Sequence, residues 1–121
     1  MIQLKTRWAD AVSAVAPLPE YPRPAMARDS YFNLNGQWEY AISENAAVES
    51  YDGNILVPFS PETLMSGVQK ILQPGQYLHY RKVFALPEGF RKGRVLLHFG
   101  AVDQECTVAV NGKIVGGHKG G

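Results

Sequence analysis

No segment of this 121-residue chain sustains an apolar stripe at the 3.6-residue period of a helix, and no internal repeat is visible. Twelve glycines and eight prolines punctuate the sequence, so turns are frequent and helices few. What survives between the breakers is short and alternates with period two, as a half-buried strand does.

The first such run follows Asn35-Gly36, where Trp38, Tyr40 and Ile42 alternate with Gln37, Glu39 and Ala41. Tyr51-Asp52-Gly53-Asn54 carries turn chemistry, and Ile55-Leu56-Val57 reads as an apolar strand halted by Pro58. Residues 59–76 contain Pro61, Gly67, Pro74 and Gly75, leaving room for a single helical turn at Glu62 to Leu64. A connection this long and irregular is more often functional than idle in a compact domain.

Order returns at Tyr77. Leu78, Tyr80, Phe84 and Leu86 share one face, interrupted by Lys82, until Pro87-Glu88-Gly89 ends the run. Val95, Leu97 and Phe99 alternate with Leu96 and His98 between Arg94 and Gly100, and Cys106, Val108 and Val110 are in phase from Glu105 to Val110. Asn111-Gly112 fits a type I′ turn, which needs positive φ at both positions, and Lys113-Ile114-Val115 is the returning strand. By periodicity Trp38, Tyr40, Tyr80, Phe84 and Phe99 belong to the core. Trp8, Tyr31, Phe32, Tyr51, Phe59 and Tyr77 remain candidates for an exposed aromatic platform. The pattern is all-β and favours a β-sandwich. Four glycines in the last six residues read as a loop directly after a hairpin that should feed another strand. The expectation is a C-terminally truncated sandwich whose unpaired edges promote self-association.

Residues 1–30 read as an extended, proline-rich arm before a sandwich domain of residues 31–121. Pro17, Pro19, Pro22 and Pro24 restrict φ and remove backbone donors. The arm is either a strap across the domain, held by Trp8 and Tyr21, or a ligand for a proline-recognising module.

Lys and Arg total 12 against 11 Asp and Glu, a formal net charge of +1. That balance speaks against nucleic acid and against a polybasic membrane anchor, which need a concentrated positive field. No run approaches the ~20 apolar residues of a membrane-spanning helix. No signal-peptide core is visible, since Asp10 interrupts the one candidate between Trp8 and Val15; cytoplasmic and exported locations both stay open. One cysteine, Cys106, excludes an internal disulfide framework and a Cys-rich zinc site.

No catalytic constellation stands out. His79, His98 and His118 lie about twenty residues apart, without the short spacing of a metal motif, and read as solvent-facing or satisfied. Asp103 and Glu105 share a strand face, but side by side rather than across a sugar. No nucleophile elbow or phosphate loop is present, and neither cofactor nor metal is expected.

The order of local motifs nonetheless resembles the N-terminal domain of glycoside hydrolase family 2, which includes β-galactosidases, β-glucuronidases and β-mannosidases. The resemblance is carried by Tyr21-Pro22-Arg23-Pro24, Asn33-Leu34-Asn35-Gly36-Gln37-Trp38, Val57-Pro58-Phe59-Ser60-Pro61-Glu62, Leu64-Met65-Ser66-Gly67-Val68 and Tyr80-Arg81-Lys82-Val83-Phe84. It is densest from Val95 to Asp103 and from Val110 through Gly121. His79 and Gln104 depart from it, standing where family members commonly carry Trp.

The resemblance implies a jelly-roll sandwich of the galactose-binding type, first domain of a larger hydrolase continuing through an immunoglobulin-like domain into a catalytic barrel. The implied reaction is retaining hydrolysis by two glutamates, one usually preceded by Asn. This chain has no Asn-Glu dipeptide, so by itself it should be inactive. Its implied role is that of a non-catalytic domain of a β-galactosidase-like exo-β-glycosidase, packing on its own parent's domains and lining the cleft for a β-galactoside or related β-glycoside. Candidate sugar contacts are Glu62, Ser66 and Gln69 in the 59–76 loop, and His118 and Lys119 in the terminal loop. The alternative is a stand-alone carbohydrate-binding module without hydrolytic activity.

Overall fold

The computed structural model describes residues 4–121, so the first three residues of the arm lie outside the described residues. The all-β reading holds. Among the described residues five strands form antiparallel sheets, and helix is limited to two three-residue 3-10 turns, Ala9–Ala11 and Pro24–Met26. The chain comprises two compact units, Met1–Phe90 and Arg91–Gly121.

The first unit holds a three-stranded sheet of β1 (Gly36–Ser43), β2 (Gly53–Val57) and β3 (Tyr77–Arg81), in the order β2-β1-β3. Register places Trp38 opposite Ile55 on one side and Tyr40 opposite Tyr80 on the other. Those side chains share a face because side chains alternate along a strand. Ile55 is fully buried and Tyr40 nearly so, burials worth about 1.5–3 kcal/mol each for large apolar side chains. Trp38 meets Tyr80 edge-on, centroids 6.3 Å apart at 87°, and donates Nε1–H to Leu34 O at 2.8 Å. Ala41 and Leu56 are buried as well, so the opposite face of the sheet is partly covered too.

β3 ends sooner than its apolar pattern suggests. Past Arg81, the Lys82 ammonium donates to Gln37 O at 2.8 Å and sits 5.8 Å from the Trp38 ring. A side chain thus takes the carbonyl that a continuing strand would have used, and residues 82–86 lie outside the ladder. This corrects the core assignment of Phe84, which is 46% exposed; Tyr80, on an edge strand, is 41% exposed. Phe84 instead joins an aromatic cluster with Phe32, centroids 6.1 Å apart.

The arm is fastened by its prolines' neighbours rather than by Trp8, which is 62% exposed. Pro17 is fully buried, with its carbonyl accepting from Asn35 Nδ2 at 3.2 Å, and Leu18 O accepts from Asn33 Nδ2 at 3.2 Å. Val15 O lies 3.0 Å from where a Cβ on Gly36 would stand, and Gly36 has φ +121°, so only glycine fits that crossing. Tyr21 packs on Tyr31 at 4.5 Å. A polyproline helix does not form, because Leu18 adopts φ +49° and residues 24–26 turn. The proline-recognition reading loses its geometric basis.

The second unit is a hairpin of β4 (Glu105–Val110) and β5 (Lys113–Lys119). Asn111 and Gly112 have φ +50° and +76°, as a type I′ turn requires. Gly116 through Lys119 belong to β5 rather than to a terminal loop. Two-residue pairing shifts between Val108 and Ala109, so Val115 bulges. The alternating run from Arg94 to Gly100 forms no strand. Its period is right, but a strand exists only through its ladder, and no described strand pairs with it. Phe99, expected in the core, is accordingly 50% exposed, and His98 occupies no strand.

Candidate functional site

The 59–76 loop is built around one hydroxyl. Ser66 is buried, and its Oγ lies 2.8 Å from Thr63 O and 3.1 Å from Pro61 O, to which it donates. The same oxygen accepts from Val68 N at 3.0 Å. Thr63 Oγ1 donates to Ser60 O at 2.7 Å and accepts from Ser66 N at 3.2 Å. Short-range hydroxyl bonding of this kind offers the backbone an alternative to helix. The stretch from Ser60 to Gly67 accordingly forms successive turns in place of the expected helical turn. Ser66 O also accepts from Leu56 N at 2.9 Å, which satisfies an outward amide of edge strand β2.

Ser66 therefore spends its hydrogen-bonding capacity inside the loop, while Glu62 and Gln69 flank it. The Glu62 carboxylate is exposed and accepts from Ser60 Oγ at 2.8 Å. Burial raises the Tyr80 phenol above its ordinary pKa of 10.0, and the nearby Glu62 charge raises it further. Gln69 adopts φ +55°, sparsely populated for a residue with a Cβ, and it follows Gly67 at φ +79°. Lys70 N donates to Pro61 O at 3.0 Å, closing the loop's base, and Lys70 Nζ lies 5.9 Å from the Tyr40 ring. The loop thus brings a carboxylate near Tyr80 and an ammonium near the buried Tyr40 ring.

His118 and Lys119 lie in the second unit, on β5 rather than in the loop expected from their glycine neighbours. Being adjacent on a strand, they point to opposite faces. Lys119 pairs with Glu105 at 3.2 Å, both side chains well exposed. His118 stands opposite Cys106 in the register. It lines an open cleft of about 450 Å³ with Leu97, Phe99, Cys106, Val108 and Val115.

A third group was only half visible in the sequence. On the face of the first sheet opposite Trp38, Tyr40 and Tyr80, register aligns Ser43 with Tyr77, Ala41 with His79 and Glu39 with Arg81. Tyr77 stacks on His79 at 6.3 Å and 29°. His79 Nε2 lies 3.1 Å from both Ser43 Oγ and Asn45 O. A carbonyl only accepts, so Nε2 carries the proton. Arg81 forms a short ion pair with Glu39 and lies 5.8 Å from the Tyr51 ring. The signal for this stripe was the spacing Tyr77-x-His79-x-Arg81, one face of one strand. Among the described residues, no three His, Cys, Asp or Glu side chains converge as metal ligands would.

No family model matches the chain. It is similar to a β-glucuronidase of Streptococcus agalactiae serotype V, 31% identical over 103 residues that make up 84% of this chain. Those residues represent 17% of that enzyme, so the chain spans about a sixth of the length of the curated relative it matches. The similarity agrees with the motif resemblance to glycoside hydrolase family 2, of which β-glucuronidases are one activity. A glycosidase-related, all-β chain is the class defined by sequence and fold together.

Proposed function

We propose that the chain serves as the non-catalytic N-terminal domain of a retaining exo-β-glycosidase, supporting the catalytic barrel and lining one wall of its sugar cleft. The observation that carries this reading is the similarity to a β-glucuronidase, which runs through most of this chain yet through a small part of that enzyme. In this role the Ser66-centred knot holds the 59–76 loop, and Glu62 and Gln69 offer acceptors and donors to sugar hydroxyls. The β-galactoside expected from the motifs and the glucuronide named for the relative differ in the configuration at C4 and in a carboxylate at C6. A glucuronide calls for an available cation, such as Lys70 beside the Tyr40 ring.

Reading the gene beyond the Gly121 codon is the first test. Continuation into a barrel with an Asn-Glu and a second glutamate is the expected result, whereas a stop codon within a few residues refutes the hydrolase reading. In the parent enzyme, Glu62→Ala and Gln69→Ala should raise KM for aryl β-glycosides with less change in kcat. Comparing galactoside with glucuronide substrates then assigns the sugar.

A further inference from the structure

We propose that the Tyr77–His79–Arg81 face of the first sheet is a second carbohydrate site, a platform for neutral β-glycans. It goes beyond the cleft role, because it lies on the sheet face opposite Trp38, Tyr40 and Tyr80. Two aromatic rings are available there. Tyr77 is 49% exposed, and the Tyr51 ring lies beside Arg81. Tyr77 and Arg81 are four residues apart on one strand, about 13 Å at the usual rise. The platform is thus long enough for more than one pyranose. Aromatic faces give apolar area to the C–H side of a sugar ring while leaving the phenol polar.

The polar groups between the rings are already oriented. Glu39 and Arg81 hold each other across the strands, with both side chains about half exposed, so lone pairs and guanidinium N–H groups remain for vicinal hydroxyls. His79 is fixed through Nε2 by Ser43 and Asn45, which leaves Nδ1 as an acceptor. The charge pattern selects the ligand. The Arg81 cation is cancelled by Glu39, and among the described residues the register places no other Lys or Arg in this stripe of the face. A neutral glycan matches that balance, and an acidic one does not.

The test is affinity electrophoresis of the full 121-residue chain through gels containing β-1,4-galactan, mixed-linkage β-glucan or galactomannan, with polygalacturonate as the acidic counterpart. Retardation by at least one neutral glycan, and weaker or no retardation by polygalacturonate, is expected. Tyr77→Ala and, independently, Tyr51→Ala should each weaken binding at least tenfold, while Tyr77→Phe retains most of it and Trp8→Ala leaves it unchanged. Far-UV circular dichroism of each variant checks the fold, and Tyr51 lies outside the strands, so its variant serves if Tyr77→Ala does not fold. Absence of retardation by all three neutral glycans overturns the proposal. So does stronger retardation by polygalacturonate, or unchanged binding in both folded alanine variants. None of these outcomes depends on what the gene encodes beyond Gly121, so this proposal and the hydrolase reading fail separately.

Discussion

Replacing Ser66 with alanine removes one oxygen and disconnects three points of the 59–76 loop. The hydroxyl accepts from Val68 N and donates toward Thr63 O and Pro61 O, and the residue is only 2% exposed. A hydrogen bond contributes about 1 kcal/mol net, and a donor left unpaired in a buried setting costs about 1–3 kcal/mol. With one bond lost outright and Val68 N–H stranded, Ser66→Ala should destabilise the first unit by about 2–3 kcal/mol. At a urea slope of about 1–3 kcal/mol per molar for a small domain, the midpoint falls by roughly 1 M. Both tryptophans, Trp8 and Trp38, lie in the first unit, so tryptophan fluorescence follows that unit alone. Ser60→Ala is the matched control. Its hydroxyl bonds Glu62 on the exposed side, and its loss should cost under about 0.5 kcal/mol. Equal midpoints for Ser66→Ala and Ser60→Ala would refute the view that the buried hydroxyl organises the loop.

Ile55→Ala should cost about 2–5 kcal/mol in the same urea assay, as for other fully buried large aliphatics. Gly117→Ala places a Cβ 2.8 Å from Cys106 O, so β4 and β5 must separate locally, seen as faster hydrogen exchange at Thr107 and its neighbours. Absorbance titration near 295 nm should show Tyr80 ionising later than an ordinary tyrosine. Glu62→Gln should lower its pKa only in part, since burial is the larger cause. The sign for stability follows directly. Above the unfolded tyrosine pKa the folded state binds more protons, so this group's contribution falls as pH rises through and beyond 10.

The elements legible in the sequence were those whose signal is local. Trp38, Tyr40 and Ile42 alternate around a strand that forms at Gly36–Ser43, and Asn111-Gly112 makes the turn its dihedrals permit. Pairing is not local, and there the reading failed. Residues 94–100 alternate as well as β4 does, yet no described strand accepts their amides. Gly116-Gly117 suggested a loop for His118 and Lys119, whereas Gly117 is needed within β5 for the close approach of Cys106 O. The site was legible as a loop, from its length and its breakers. That Ser66 turns inward and Glu62 outward was not, because the same residue types serve both purposes and only the fold distributes them.

That distribution has an evolutionary consequence. The residues that hold the loop, Ser66, Thr63 and the carbonyls of Ser60 and Pro61, are bonded to one another, while the Glu62 carboxylate faces outward. Substitutions at Glu62 therefore alter what the loop offers a ligand without untying what keeps it in place. A lineage carrying this knot can change the loop's outward face by single steps, each passing through a folded intermediate.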